Sequence, residues 1–232
     1  MEEFGKAKEE KGTRIDEREA LRYLGAKEPD GETLARIGEI ARDAESRFTP
    51  RFVFREFRVQ KTGDGVLLAQ AGLVLPGATA ASMLAEAEKA VLLLCTLGLS
   101  FDAYLRSLQA RDMARAVMLD ACGSALTEAG CDQAEKEIGA LYPGFYLTDR
   151  FSPGYGDLPL TLQSPILAAL NGERRLGVYL TEGYLMNPSK SVTAVIGLCK
   201  RPQRARIRGC AYCRMAENCA YRKKGCRCEE NI

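Results

Sequence analysis

The sequence predicts an α+β protein with a mainly antiparallel, twisted sheet flanked by helices, followed by a short cysteine-rich C-terminal tail. Strand patterns occur both in hairpins and between helical stretches, which is typical of α+β domains. Five of the nine cysteines fall after residue 209. A change of charge and a proline at position 202 mark the boundary, so we divide the chain into a body, residues 1–201, and a tail, residues 202–232.

Hydrophobic periodicity predicts the elements of the body in order. After a solvated arm, residues 1–13, helical spacing predicts helices over residues 15–25, 29–48, 77–90, 100–140 with a break near Gln109, and 160–171. Alternating or continuous apolar runs predict strands over residues 51–60, 66–75, 90–98, 144–149, 176–186 and 191–199. Asp16 and Gly25 are a capping residue and a stop signal for the first helix.

Size and composition indicate a globular protein. The chain has 232 residues, of which 46% are hydrophobic and 28% charged, enough to bury one sizeable core. Its longest apolar run, residues 90–99, is far shorter than the roughly 20 residues that a membrane span requires. The N terminus is polar and does not resemble a secretory signal, so we predict a cytoplasmic protein without membrane contact.

The absence of histidine restricts the chemistry. With no histidine in the chain, Ser/His and Cys/His dyads, zinc-hydrolase ligand sets and the usual near-neutral acid/base are excluded. Any reaction must use carboxylates, Lys, Tyr or Cys, or belong to a bound cofactor.

Two features of the predicted long helix stand out. Small residues crowd its middle, residues 120–132, and permit a neighbouring element to approach closely. Four polar residues of the same region repeat every fourth position and fall near one helix face: Asp120, Ser124, Glu128 and Asp132. We interpret this acidic stripe as a solvated helix face.

The segment 149–160, DRFSPGYGDLPL, is the candidate binding loop. Proline restricts φ and glycine lets a ligand approach the backbone, so the run Pro153–Gly156 predicts a stiff, open path of peptide groups around Tyr155. Such a path can cradle a nucleoside, and Arg150 can bind a carboxylate through two parallel hydrogen bonds. The alternative is a plain turn between a strand and a helix, with Tyr155 as ordinary packing.

Two blocks of the sequence resemble the activation (reactivation) domain of cobalamin-dependent methionine synthase, in its standalone form. The first is Arg150-x-x-x-Gly154-Tyr155 followed by Pro159. The second lies within residues 177–192 and contains Leu180, Thr181, Glu182, Met186, Pro188, Ser191 and Val192. The resemblance is strongest over residues 146–197 and extends more diffusely from residue 15.

The resemblance implies that the body binds S-adenosylmethionine and presents it to a cobalamin held by another protein. It implies that Arg150 binds the methionyl part of the ligand, and that the backbone of residues 151–156 lines the site, including Ser152, Gly154, Tyr155 and Gly156. No Asp-x-His-x-x-Gly cobalamin motif is present. A corrinoid must therefore arrive on a partner, a methionine synthase or another corrinoid protein.

The tail contains five closely spaced cysteines in the pattern C-x2-C-x5-C-x6-C-x-C: Cys210, Cys213, Cys219, Cys226 and Cys228. Thiolates at this density favour zinc or an iron–sulfur cluster, with a basic tail of reduced thiols as the alternative. Residues from Lys200 onward carry ten Lys or Arg against three Glu, a net charge of +7, which leaves −5 for the preceding residues. We expect the basic surface to dock an acidic electron donor such as a flavodoxin.

Two other functions compete with this interpretation. Basic, metal-stabilised tails commonly bind nucleic acid, and Tyr212 and Tyr221 between arginines would allow base stacking. Nucleic-acid binding of this zinc-ribbon-like kind is the less favoured alternative. A non-catalytic subunit of a corrinoid methyltransferase complex is the third.

Overall fold

The computed structural model describes residues 8–9, 12–26 and 28–203, and the predicted α+β class with an antiparallel sheet is confirmed. Seven strands form the main sheet in the order β4-β3-β2-β5-β9-β6, with β1 beside β2, and every pairing is antiparallel. The strands of this sheet are β1 Lys8–Glu9, β2 Arg51–Thr62, β3 Gly65–Leu68, β4 Leu73–Pro76, β5 Ala87–Thr96, β6 Tyr146–Leu147 and β9 Ser191–Cys199. A separate two-stranded hairpin consists of β7 Tyr179–Leu180 and β8 Met186–Asn187.

Helices cover both faces of the main sheet. They are α1 Glu17–Leu24, α2 Gly31–Arg47, α3 Gly77–Met83, α4 Leu99–Gln109, α5 Met113–Leu141, α6 Gln163–Leu170 and α7 Gly172–Leu176. Period-two alternation in β2 sends Phe52 and Phe54 toward α5 and sends Val53 and Phe57 toward α3, α6 and α7. A third apolar cluster joins α1, α2, α4 and α5.

Local signals set several boundaries as predicted. Asp16 caps α1 by accepting a hydrogen bond from the Arg18 amide at 2.9 Å, and Gly25 ends the helix at φ 74°. The predicted long helix is interrupted between α4 and α5, as expected near Gln109. Part of the N-terminal arm, expected to be solvated, instead pairs with β2 through β1.

The strand predicted before α3 and the helix predicted over it both have the wrong boundaries. The segment 66–75 is two strands, because a 3-10 turn over Ala69–Ala71 ending at Gly72, with φ 59°, reverses the chain. The helix predicted over residues 77–90 ends at Met83, and the chain is extended again from Ala87. Pairing of β5 with both β2 and β9 and burial of Ala87 and Ala90 override the helical pattern there.

The single strand predicted over residues 176–186 is also wrong. The segment folds into the β7–β8 hairpin, whose turn is closed by hydrogen bonds from the Tyr184 amide to the Thr181 carbonyl and from the Thr181 amide to the Leu185 carbonyl. Helix α7 before it was not predicted. Asn171, at φ 50°, separates α7 from α6.

Close packing along α5 confirms the interpretation of its small residues. Gly123 lies against the Phe101 ring and Gly130 against Pro50 and Cys95. Within the described ranges, none of the helices combines the length and apolarity needed to cross a bilayer.

Candidate functional site

The candidate binding loop, residues 149–160, lies at the β6 edge of the main sheet. Only Tyr146 and Leu147 of the predicted strand 144–149 form β6. Farther on, the Phe151 amide donates to the Val195 carbonyl at 3.1 Å and the Val195 amide donates back at 2.7 Å. Phe151 is buried in the core on the α6 side. The loop is therefore anchored to β9 before it turns into solvent.

Three backbone hydrogen bonds close the tip of the loop into a compact turn. The Gly154 amide donates to the Leu158 carbonyl at 2.8 Å, the Tyr155 amide to the Ser152 carbonyl at 3.1 Å, and the Leu158 amide to the Tyr155 carbonyl at 3.0 Å. Gly154 and Gly156 take φ values of 88° and 59°, a region that glycine enters readily and most other residues avoid. The glycines thus permit a compact turn, in which the Gly154, Tyr155 and Leu158 amides bond within the loop instead of forming the open path of peptide groups that the sequence predicted.

Asp157 fixes this turn to the start of α3. Its carboxylate accepts hydrogen bonds from the Ala78 amide at 2.6 Å and the Thr79 amide at 3.0 Å. A Cβ at position 156 would overlap the Thr79 hydroxyl, and one at position 77 would lie 2.5 Å from the Asp157 carboxylate. Two glycines therefore permit the contact between loop and helix.

Hydrogen bonds from Thr79, and then from the Ala78 amide, lower the pKa of Asp157 to about 2. A carboxyl group with a lowered pKa stabilises the folded state above its ordinary pKa, near 4, and this contribution is lost as the pH falls toward 2. We expect Asp157→Asn to be less stable than the unsubstituted protein at pH 7, with a difference that shrinks between pH 4 and pH 2. Urea unfolding midpoints across that range measure it, and a difference independent of pH would contradict the assignment.

Arg150 points to the other face of the sheet, toward α5. Its side chain is only 9% exposed, and its guanidinium binds Glu128, Asp132 at 2.6 Å and Glu135 at 2.6 Å. Because Phe151 is buried on the opposite face, the loop connects the two helical layers across the sheet edge. We call Arg150 and its three acidic partners the Arg150 cluster.

The acidic stripe of α5 is not the plain solvated face that its spacing suggested. Glu128 and Asp132 bind Arg150. Farther toward the N terminus of the helix, Lys190 donates to the Asp120 carboxylate at 2.8 Å and to the Ser124 hydroxyl at 2.9 Å. Each member of the stripe thus contacts a basic side chain, either Lys190 just before β9 or Arg150 just after β6.

Arg150 faces more carboxylate charge than it can neutralise. Glu128 and Asp132 alone place two carboxylates against one guanidinium, a formal surplus of one negative charge. Such a surplus favours a cationic ligand group nearby and disfavours an isolated carboxylate, unless that carboxylate displaces one of the acidic partners of Arg150. The predicted contact between Arg150 and a ligand carboxylate therefore requires a rearrangement of the cluster.

The predicted site residues fall into two groups. Ser152, Gly154, Tyr155 and Gly156 share the turn, with Tyr155 36% exposed. Arg150 lies behind them in its cluster.

Sequence reasoning missed Asp157, Thr79 and Glu135. The only available signals were the three-residue spacing of Glu135 from Asp132 on a helix and the position of Asp157 directly after the glycine run.

The second block of the sequence resemblance, within residues 177–192, packs on the same core as the loop. Leu180 and Met186 of the hairpin pack against the cluster that contains Leu158 and Leu162. After the hairpin, Ser189 donates its amide and hydroxyl to the buried Asp102 carboxylate, at 2.9 and 2.6 Å. The two sequence blocks thus meet through a shared apolar layer.

The predicted metal ligands in the tail lie outside the described residues. Among the residues that the structure describes, no group of three or more Cys, Asp or Glu side chains has the arrangement of a metal site. Four cysteines of the body are buried free thiols: Cys95, Cys122, Cys131 and Cys199. Burial raises the pKa of Cys122 to about 12, which keeps that thiol protonated and unreactive.

Comparison with solved structures shows the fold of this chain in another protein. The crystal structure of the MetH reactivation domain bound to AdoHcy matches it with a TM-score of 0.69 and 19% sequence identity, over 98% of this chain and 87% of that chain. No protein-family model matches the chain, and no curated protein matches it significantly. The fold expected from the sequence resemblance is confirmed.

Proposed function

We propose that this protein binds S-adenosylmethionine at the loop 149–160 and supports reductive remethylation of a cobalamin carried by a separate methionine synthase or corrinoid protein. The observation that carries the proposal is the match, over 98% of the chain, to a reactivation domain bound to AdoHcy. The loop that bears the sequence resemblance is also an ordered turn with an exposed aromatic side chain.

The geometry of the turn supports nucleoside binding. Gly154 carries no Cβ, and only a Leu160 methyl carbon, at 3.4 Å, lies near the place of that Cβ, so a ligand can reach the peptide groups on the N-terminal side of Tyr155. The turn is fixed by β9 on one side and by α3, through Asp157, on the other. Little conformational entropy is then lost when a ligand binds.

The charge of the Arg150 cluster supports a cationic ligand. S-adenosylmethionine carries a sulfonium and an ammonium group against one carboxylate. Its cationic groups are favoured by the surplus carboxylate charge of the cluster, and its carboxylate can pair with Arg150 if Glu128 or Asp132 moves away. Both acidic residues are accessible to water, at 34% and 55% exposure, so such a movement does not strand a buried charge.

The proposed reaction needs positioning and no protein acid or base. A cobalamin on the partner, reduced by one electron from a donor, would accept the methyl group. The bond between the methyl carbon and sulfur would break as the bond to cobalt forms, and S-adenosylhomocysteine would leave as a neutral thioether. The sulfonium already activates the methyl group, so alignment of the two reactants is the task of the protein. This is compatible with a chain that has no histidine.

Partners complete the proposed system. We assign the cobalamin to another protein, the electron to an acidic donor such as a flavodoxin, and a zinc ion or iron–sulfur cluster to the tail cysteines Cys210, Cys213, Cys219, Cys226 and Cys228. The sequence supports these assignments through the charge of +7 that begins at Lys200 and through the cysteine spacing. They place the protein in methionine biosynthesis or in a related corrinoid methyl-transfer system.

Calorimetric titration with S-adenosylmethionine tests the binding site. We expect binding by the full chain, and we expect Tyr155→Ala to weaken it about 5- to 150-fold, since stacking of a base on an aromatic ring contributes about 1–3 kcal/mol. Tyr155→Phe retains the ring and should bind like the unsubstituted protein. Tyr179→Ala removes another exposed tyrosine and is the matched control. Absence of binding, or equal affinities for Tyr155→Ala and the control, would refute the site.

A further inference from the structure

Helix α3 is held at both ends by residues that are distant in the sequence. At its N terminus, the Asp157 carboxylate accepts from the Ala78 and Thr79 amides. At its C terminus, the Gln203 side-chain amide donates to the Ser82 carbonyl at 3.1 Å and the Met83 carbonyl at 2.5 Å. The candidate binding loop and the start of the tail thus contact opposite ends of one helix.

The length and composition of α3 make it depend on these contacts. It has seven residues, and only Ala80 and Met83 are buried. Its N-cap residue, Pro76, offers no side-chain hydrogen bond. Because the first turn of a helix is costly to form and its terminal amides and carbonyls need partners, so short a helix is marginal without external caps. If the partner at one end is lost, the helix is formed less often. The backbone groups at its other end are then less often in position to bind their own partner.

Gln203 is itself held in place from the β9 side. The Cys199 thiol, in the last residue of β9, donates to the Gln203 side-chain oxygen at 3.5 Å. Gln203 is the last residue that the structure describes, and the cysteine-rich segment 204–232 follows it directly in the chain.

We propose that α3 couples Gln203 to the binding loop, with Gln203 as a positioning residue for the site. When Gln203 caps α3, the helix is formed and its amides hold Asp157, which keeps the turn around Tyr155 ordered. When Gln203 leaves, α3 frays, the Asp157 contact weakens and the loop loosens. Helix α3 is then a two-state element whose equilibrium both ends bias. The ligand consequence rests on the proposed function, whereas the coupling itself does not.

Amide hydrogen exchange of the full chain without ligand tests the coupling. We expect Gln203→Ala to accelerate exchange of the Gly154, Tyr155 and Leu158 amides about fivefold, the ratio that corresponds to loss of one helix cap. These amides lie beyond the N terminus of α3, whereas Gln203 binds its C terminus. The helix between them is roughly 10 Å long at 1.5 Å per residue, so Gln203 does not act on them by direct contact. Gln203→Glu keeps the size of the side chain but removes the donor, so it should act like alanine.

A double variant and a neighbouring control complete the experiment. Asp157→Ala disconnects the loop from α3, so adding Gln203→Ala to it should cause no further acceleration in the loop. Lys200→Ala removes the contact of Lys200 with the Phe145 ring, 3.5 Å from Nζ to the ring centroid, beside the same chain exit but away from α3. It should leave loop exchange unchanged. Unchanged loop exchange in Gln203→Ala, or multiplied effects in the double variant, overturns the coupling.

Binding measurements separate this inference from the proposed function. If both hold, Gln203→Ala weakens S-adenosylmethionine binding by up to the same fivefold factor. If the protein does not bind S-adenosylmethionine but loop exchange still responds to Gln203→Ala, the coupling stands and the proposed ligand is wrong. If binding is present and exchange does not respond, the proposed function stands and the coupling fails.

Discussion

Replacing Arg150 by alanine should destabilise the protein by about 2 kcal/mol, because it leaves three carboxylates of α5 without their shared partner. Removing one member of a buried ion pair typically costs about 3–5 kcal/mol. Water reaches part of this cluster, with Asp132 55% and Glu128 34% exposed, so we place the expected value below that range. Urea unfolding at pH 7 measures the change.

A charge-compensated variant shows whether Arg150→Ala destabilises the protein through unbalanced charge or through the loss of side-chain packing. Arg150→Met combined with Glu128→Gln and Glu135→Gln removes the guanidinium together with two of the carboxylates that it neutralises. We expect this variant to recover most of the stability lost in Arg150→Ala, because the uncompensated carboxylates cause most of the loss. If the compensated variant is as unstable as Arg150→Ala, charge balance is not what the cluster contributes.

The same substitution tests the ligand contact implied for Arg150. At a temperature where the variant is folded, loss of a charge-assisted pair should weaken S-adenosylmethionine binding by about 1.5–3 kcal/mol. Arg150→Lys keeps the charge but not the planar fork, so it should also bind more weakly. Unchanged affinity in Arg150→Ala would mean that Arg150 only supports the loop from behind.

Two alanine substitutions in the same helix should have opposite effects on stability. Gly123→Ala should destabilise the protein by about 3 kcal/mol, since its Cβ would overlap the Phe101 ring, with two ring carbons 2.8 Å away. Phe101 is fully buried and packs edge-on against Phe48 at 5.0 Å between ring centroids, so the ring has little freedom to move. Overpacking of this kind typically costs about 1–3 kcal/mol, occasionally more.

Gly139→Ala is the matched control in α5. Nothing lies within 4 Å of a Cβ at that position, so only the helix preference changes, and alanine is favoured over glycine by about 0.5–1 kcal/mol. We expect higher thermal stability for Gly139→Ala and lower stability for Gly123→Ala. Equal effects of the two substitutions would show that the contact of α5 with Phe101 is looser than its geometry indicates.

Short-range signals determined much of the fold. Asp16 and Gly25 defined α1 because a cap and a left-handed glycine act within one turn of the chain. The alternation of apolar and polar residues in β2 identified a strand, and Pro153, Gly154 and Gly156 identified a stiff turn. In each case the physics acts between residues a few positions apart, so the sequence contains it directly.

The candidate site, in contrast, could be predicted from the sequence only in part. The sequence identified the turn and singled out Arg150, and the resemblance of two blocks predicted the fold that the solved structure confirms. It did not predict that Arg150 would be neutralised by α5, because Glu128, Asp132 and Glu135 lie 15–22 residues away along the chain. Such a contact exists only once β6 and α5 are packed together.

Tertiary structure decided the rest. The chain leaves the helical state after Met83, against its own pattern, because β5 gains partners on both sides. Asp157 meets α3 across 78–79 residues and Gln203 meets it across 120–121. A periodic pattern specifies which face of an element is apolar, but which elements meet depends on closing long loops and burying shared surface, a choice made by the whole chain at once.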